Sequence, residues 1–234
     1  MKSPFPLCKG QVDITSADSE DAIQRAISNN PSNAYIHLTQ NVAQSGIQTE
    51  AGSNVTLDLD GHTITCVAPF VGSSEEYTNG MRFMKGSNVV IKNGTIKAIS
   101  PVLAILIQNF SDSLVLDNVT LQGKLATQYI LSNNYGHVTL KNNTVVKASG
   151  GHVAFDAHYG LSEEYDDGCT VTIADNTVKI IGEVEYTKSD RCSEENFFAK
   201  THIYIPSDYT LTAPAGFEFK LTADGTQKEL VKAQ

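Results

Sequence analysis

A six-residue phrase recurs five times along the chain, and no other feature limits the possible folds as strongly. The copies are Leu59-Asp60-Gly61-His62-Thr63-Ile64, Ile91-Lys92-Asn93-Gly94-Thr95-Ile96, Leu116-Asp117-Asn118-Val119-Thr120-Leu121, Leu140-Lys141-Asn142-Asn143-Thr144-Val145 and Ile173-Ala174-Asp175-Asn176-Thr177-Val178. Each holds an aliphatic residue, a few turn formers, a threonine and a second aliphatic residue. They recur at steps of about 24 to 33 residues, a period that marks stacked supersecondary units rather than a closed globule.

Between the copies the apolar residues alternate over short runs such as Val89-Val90-Ile91, Leu114-Val115-Leu116 and Val171-Thr172-Ile173. Such alternation, bounded by Gly and Asn, predicts strands. Each repeat holds about three runs, for example Ala104–Ile107, Leu114–Leu116 and Val119–Leu121, with no helix between them. That excludes a strand-helix-strand unit and suits a coil of parallel strands in which each turn pairs with the next. Both aliphatics of the phrase are then expected to face inward. Asn93, Asn118, Asn142 and Asp175 fall at the bend, where such residues tolerate left-handed backbone and bond their own main chain. Thr63, Thr95, Thr120, Thr144 and Thr177 are expected to form an outward ladder. The Asn-x-Thr spacing at Asn54, Asn93, Asn118 and Asn142 fits these bends better than it fits glycosylation.

The remaining chain supplies ends. Residues 1–33 read as an arm and a short amphipathic helix over Ser19–Ile27, with an N-cap at Ser19 and apolar spacing of four at Ile23 and Ile27. Residues 34–198 carry the repeats, beginning with the strand Ala34–Leu38. Residues 199–234 change character, with runs Ile203–Ile205, Tyr209–Thr212 and Phe217–Leu221 split by Pro206, Pro214 and Gly216. They predict a small β-rich cap or attachment segment rather than another full turn.

The opening Asp21-Ala22-Ile23-Gln24-Arg25-Ala26-Ile27 and the stretch Gly86-Ser87-Asn88-Val89-Val90-Ile91-Lys92-Asn93-Gly94-Thr95-Ile96 resemble right-handed parallel β-helix proteins of the pectin-lyase-like superfamily, over roughly residues 19 to 200. The resemblance implies an all-β, right-handed parallel β-helix solenoid with an N-terminal capping helix and a small β-rich C-terminal segment. It implies less about activity, because that superfamily includes lyases, hydrolases, phage tailspikes, adhesins and inert structural pieces.

Charge narrows the partners. The formal net charge is −9 over 234 residues, with Lys and Arg scattered, so phosphate-backbone binding lacks its basic stripe. Polyanionic sugars are disfavoured for the same reason unless a cation bridges them. No apolar run approaches a membrane span, and Met1–Leu7 has no apolar core of a signal peptide. Synthesis in a cytoplasm is expected, with a virion or the extracellular space as destination. Cys8, Cys66, Cys169 and Cys192 match no zinc spacing. Cys169 opens a strand and reads as a small buried apolar residue.

The widest repeats carry insertions, and loops on a rigid scaffold usually carry function. Two of them share a phrase, Gly72–Gly80 and Gly160–Gly168, with an echo at Ser193-Glu194-Glu195. Glu163, Glu164, Asp166 and Asp167 form a candidate calcium set, since calcium takes several carboxylate oxygens, although they lack the alternating spacing of a calcium loop. No other cofactor is expected. The best enzymatic constellation is His152, Asp156 and His158 with Asp166 and Asp167 near in sequence. Alternation puts His152, Ala154, Asp156 and His158 on one face, where a His beside a carboxylate can act as acid or base. Tyr159 and Tyr165 are the candidate sugar-binding pair.

Pectin-hydrolysing relatives carry Asn-Thr-Asp, Asp-Asp, Gly-His-Gly and Arg-Ile-Lys elements. Here only Asp166-Asp167 and Gly61-His62 echo them. Pectate lyases use an arginine base beside calcium-binding aspartates, and Arg25, Arg82 and Arg191 lack that company. The expectation is therefore a non-catalytic structural or binding module, most like a phage virion component such as a capsid decoration, head fibre or tail part. Homo-oligomers (trimers by analogy), capsid or tail proteins and surface glycans are the expected partners. The alternatives are a polysaccharide lyase or glycoside hydrolase, and a bacterial surface adhesin fragment.

Overall fold

The computed structural model describes residues 10–69, 71–72, 78–160 and 164–234. Among them the chain is dominated by strands in long parallel sheets. The main path of the first sheet runs Gln11–Ile14, Ala34–Leu38, Asn54–Asp58, Asn88–Ala98, Ser113–Gln122, His137–Lys141, Cys169–Ile173 and Thr201–Pro206. The second runs Ile47–Gln48, Asn79–Phe83, Ile105–Asn109, Tyr129–Asn134, Val153–Tyr159 and Glu183–Lys188. Neighbours along each path are parallel and about one repeat apart in sequence, as the recurring phrase predicts.

Register turns the repeat into columns. Leu57, Ile91, Leu116, Leu140 and Ile173 lie opposite one another across the first sheet, and none is more than 3% exposed. A second column joins Val42, Ile64, Ile96, Leu121 and Val146. In the second sheet Ile47, Met81, Ile107, Leu131 and Phe155 do the same. These columns build one continuous core. Each fully buried aliphatic side chain contributes about 1.5–3 kcal/mol relative to exposure.

The bends agree with the sequence in part. Asn93, Asn118 and Asn142 adopt positive φ (60°, 56° and 52°). Asn118 Nδ2 donates to Asn93 Oδ1 at 3.3 Å and Asn142 Nδ2 to Asp117 Oδ1 at 2.7 Å. Asp175 is not left-handed, but its carboxylate accepts the backbone N–H of Thr177 at 2.9 Å. The threonine ladder holds for only three residues. Thr63, Thr95 and Thr120 are in register, but Val145, not Thr144, lies opposite Thr120. The fourth copy has one more residue in its bend, with both Asn142 and Asn143 at positive φ. A slip of one residue exchanges faces. Thr144 is therefore buried, its hydroxyl 2.7 Å from the Lys141 carbonyl oxygen, while Val145 is half-buried and Val146 takes the core position. Thr177 is exposed and accepts from the Asn143 N–H at 2.7 Å.

Both ends differ from expectation in detail. The first helix, α1, spans Ala22–Asn29 and buries Ala22, Ile23, Ala26 and Ile27. Its N-cap position is Asp21 rather than Ser19, because Ser19–Asp21 form a turn in which the Ser19 hydroxyl bonds Asp21 and Arg25. The phrase Ser193-Glu194-Glu195, read as a loop, instead opens a second helix, α2, over Glu194–Lys200. Ser193 accepts from the Asn196 N–H at 3.1 Å, which relieves one unpaired donor of the first turn. Phe197 and Phe198 of α2 pack on Tyr186 and Phe217. Thr201–Pro206 still adds in parallel to the first sheet. Only Phe217–Leu221 and Gln227–Lys232 form an antiparallel hairpin beyond it, and Tyr209–Thr212 is not a strand.

Candidate functional site

On the second sheet one row is polar on every strand. Gln48, Arg82, Gln108, Ser132, Asp156 and Glu185 lie opposite one another in turn. One position in from them on the strand, Phe83, Asn109, Asn133 and Ala157 form a buried row. Its asparagines are satisfied internally: Asn109 Nδ2 donates to Asn133 Oδ1 at 2.9 Å, and Asn133 Nδ2 to the Gly136 carbonyl at 2.9 Å. Gly136 must be glycine, since a Cβ there would fall 2.2 Å from Asn109 Nδ2.

Asp156 is the centre of the polar row. It is 5% exposed. Its Oδ1 accepts the Asn133 N–H at 2.6 Å, and its Oδ2 lies 3.1 Å from Ser132 Oγ. Ser132 Oγ is also 3.0 Å from Asn134 Oδ1, and a hydroxyl has one hydrogen for these two acceptors. The conflict disappears when Asp156 is protonated: it then donates to Ser132, which donates to Asn134, which also receives Gln108 Nε2 at 3.3 Å. Burial, outweighing the hydrogen bonds from Asn133 and Ser132, pushes the Asp156 carboxyl up to about 7. Glu185 stands opposite it on the next strand and accepts from the Tyr129 hydroxyl at 3.2 Å. Burial and then Glu185 push that phenol up to about 12. The arrangement is a carboxyl group whose proton affinity burial raises, beside a second carboxyl group that accepts from a phenol.

Of the histidines near in sequence, His158 belongs to this surface and His152 does not. His158 Nδ1 is 3.0 Å from the Thr187 hydroxyl, and burial lowers its basicity. His152 precedes the strand and points Nε2 at the Leu125 carbonyl, 2.8 Å away. A register slip between Val153 and Phe155 breaks the alternation, so Ala154 is fully buried together with Phe155. A bulge of this kind moves every earlier side chain off the face its spacing predicts.

Asp166 and Asp167 are engaged elsewhere. Lys200 Nζ lies 3.2 Å from Asp166 and Lys85 Nζ 2.9 Å from Asp167, and Lys85 also meets the Glu164 carbonyl. Glu163 lies outside the described residues. Among those described, no three His, Cys, Asp or Glu side chains are grouped to hold a metal ion. Tyr165 stacks on Tyr135 with centroids 5.0 Å apart and tilts against Phe110 at 5.5 Å. Tyr159 is 1% exposed and part of the core. The two tyrosines thus share Tyr135 as a neighbour without presenting two open ring faces.

The row meets a cleft at its other end. Gln48 and Arg82 line a space of about 700 Å³ together with Glu20, Gln24, Ser45 and Gly72. Arg82 donates to the Gly72 carbonyl at 3.0 Å and lies over the Phe110 ring at 5.5 Å. Its buried Nε has no hydrogen-bond partner among the described residues. Sequence reasoning missed Glu185, Tyr129, Ser132 and Arg82 as members of one site. Their only sequence signal is a polar residue at the matching place in successive repeats. Cys66, Cys169 and Cys192 are free and buried, and burial pushes the Cys66 thiol up to about 12.

No family model, no curated protein and no solved structure matches the chain. No helix among the described residues is long and apolar enough to cross a membrane.

Proposed function

We propose that the two parallel sheets are faces of a right-handed parallel β-helix, and that the chain works as a structural and binding module rather than as a catalyst. Within that reading it is a phage virion component, a capsid decoration, head fibre or tail part, which contacts capsid or tail proteins or a surface glycan. The observation that carries the scaffold reading is the unbroken register of aliphatic columns over successive repeats, between α1 at one end and α2 with its hairpin at the other. Such a core holds surface groups in place without a moving part.

The second reading is acid–base chemistry on a polysaccharide, and one observation favours it. Asp156 and Glu185 are opposed on neighbouring strands, and burial pushes the Asp156 carboxyl up to about 7. A pair of carboxyl groups, one of them with its proton affinity raised by burial, is the usual equipment of glycoside cleavage.

Incubating the full chain with neutral and acidic polysaccharides, and assaying both reducing ends and unsaturated products, separates the two. Saturable binding without chain cleavage is the outcome expected for the module. Cleavage by the wild type that is lost in Asp156→Asn, with the fold retained by circular dichroism, would replace it with the enzymatic reading.

A further inference from the structure

Among the described residues, the first sheet terminates in a strand whose outer side is unpaired. Gln227–Lys232 lies between Thr201–Pro206 and Phe217–Leu221. Among the described residues nothing pairs with the far side of Phe217–Leu221. The Ala233 N–H donates to the Gly216 carbonyl at 2.9 Å and the Thr222 N–H to the Gln227 carbonyl at 3.0 Å. In an antiparallel ladder the bonded residues alternate. Glu218 and Lys220 therefore turn their backbone groups inward to the hairpin, and Phe217, Phe219 and Leu221 turn theirs outward. The Phe217 N–H is used by the Pro214 carbonyl at 3.1 Å. The N–H groups of Phe219 and Leu221 are left facing out, and such an edge is a template for another strand.

The side chains on this edge say which strand fits. Phe217-Glu218-Phe219-Lys220-Leu221 reads apolar, acidic, aromatic, basic, apolar, so it is complementary to its own reverse. Two copies set antiparallel about Phe219 bring Glu218 of each opposite Lys220 of the other, and Phe217 opposite Leu221. The backbone agrees with this centre. Phe219 would form the hydrogen-bonded pair with its own copy, as its outward groups require. The charged residues would occupy the flanking non-bonded pairs, where side chains come closest. In the single chain Lys220 Nζ already pairs with Glu218 Oε1 at 3.0 Å, both side chains being nearly half exposed, so the same charges can exchange across the joint. Leu221 is 62% exposed, on the face where Phe217 and Phe219 pack against the core, and the partner's Phe217 would cover it.

We propose that the chain associates with a second copy of itself by antiparallel pairing of Phe217–Leu221, giving a two-fold symmetric dimer with the first sheet continuous through the joint. This is a property of the edge and holds under either functional reading.

The test is the solution mass of the full chain over a range of concentrations, by light scattering, for the wild type and three variants. Leu221→Pro removes one outward N–H and an exposed side chain and leaves the internal ladder intact. Glu218→Lys sets like charges opposite one another, and Glu218→Lys combined with Lys220→Glu restores opposite charges with the order reversed. The expected result is a wild-type dimer, its mass halved in Leu221→Pro and in Glu218→Lys and regained in the double variant, with circular dichroism unchanged throughout. A wild-type monomer at every concentration overturns the proposal. So does a trimer, or growth without limit through the Gln11–Ile14 end of the next copy. A dimer that survives both single variants overturns it as well.

Discussion

In the first sheet the column from Leu57 to Ile173 is aliphatic on every strand, whereas the row from Gln48 to Glu185 in the second sheet is polar on every strand. The two are made by the same stacking but respond to it in opposite ways. Adding a strand to an aliphatic column buries more apolar area and needs no orientation. Adding one to a polar row is favourable only if each new group finds a donor or acceptor on the strand before it. The aliphatic columns of both sheets are thus a source of stability, and the polar row of the second is where stability is given up for groups with unusual proton affinity.

The largest effect is expected in the first sheet. Leu116→Ala removes a fully buried side chain from the middle of a column and should cost about 2–5 kcal/mol, read from the urea midpoint. A loss much below that range would mean that the columns relax easily, and the contrast between the sheets would weaken.

Asp156→Asn should act in the opposite direction, and only at higher pH. The folded chain holds a proton on Asp156 up to about pH 7, while the unfolded chain releases it near the ordinary carboxylate value of 3.8. Between those values the folded state binds more protons, so stability falls as pH rises through the window. The complete loss amounts to about 4 kcal/mol at roughly 1.4 kcal/mol per unit. The asparagine keeps the donor to Ser132 and the acceptor for Asn133, so the variant should lack this slope and exceed the wild type above pH 7. An unchanged slope would show that Asp156 is ionised in the fold.

The smallest of the three effects belongs to the buried asparagines beside the row. Asn133→Ala leaves the Asn109 amide without its acceptor and should cost about 1–3 kcal/mol. Equal thermal midpoints for variant and wild type would mean that water replaces the amide, and the second sheet would then tolerate polar loss better than its burial suggests.

Part of this architecture is legible in the amino-acid order alone. Ala34–Leu38 is a strand with the bounds its alternation predicts, and the second and third copies of the phrase pair residue for residue. Those copies have equal bends. Where the bend gains a residue, as at Asn142-Asn143, sequence alignment and spatial register separate, and Thr144 and Val145 change places. The helix α2 is written in Ser193-Glu194-Glu195 and Lys200 as a cap, first-turn acids and a last-turn base, but likeness to two acidic loops hides it. The candidate site is less legible. The sequence singles out Asp156 by its neighbours on the strand, while its actual partners, Ser132, Asn133 and Glu185, stand on the strands to either side.

Composition and period by themselves determined that strands would stack in parallel, about one repeat apart, with aliphatic residues inside and Asn at the bends. These follow from local backbone preference and from the alternation of side chains, both of which a chain carries in its own order. Only the tertiary structure decided which carboxyl groups are buried and which meet a lysine, and which polar residues form one row. Those outcomes depend on register, and a single extra residue in a bend or one bulge in a strand puts side chains of that strand on the face opposite to the one their spacing predicts.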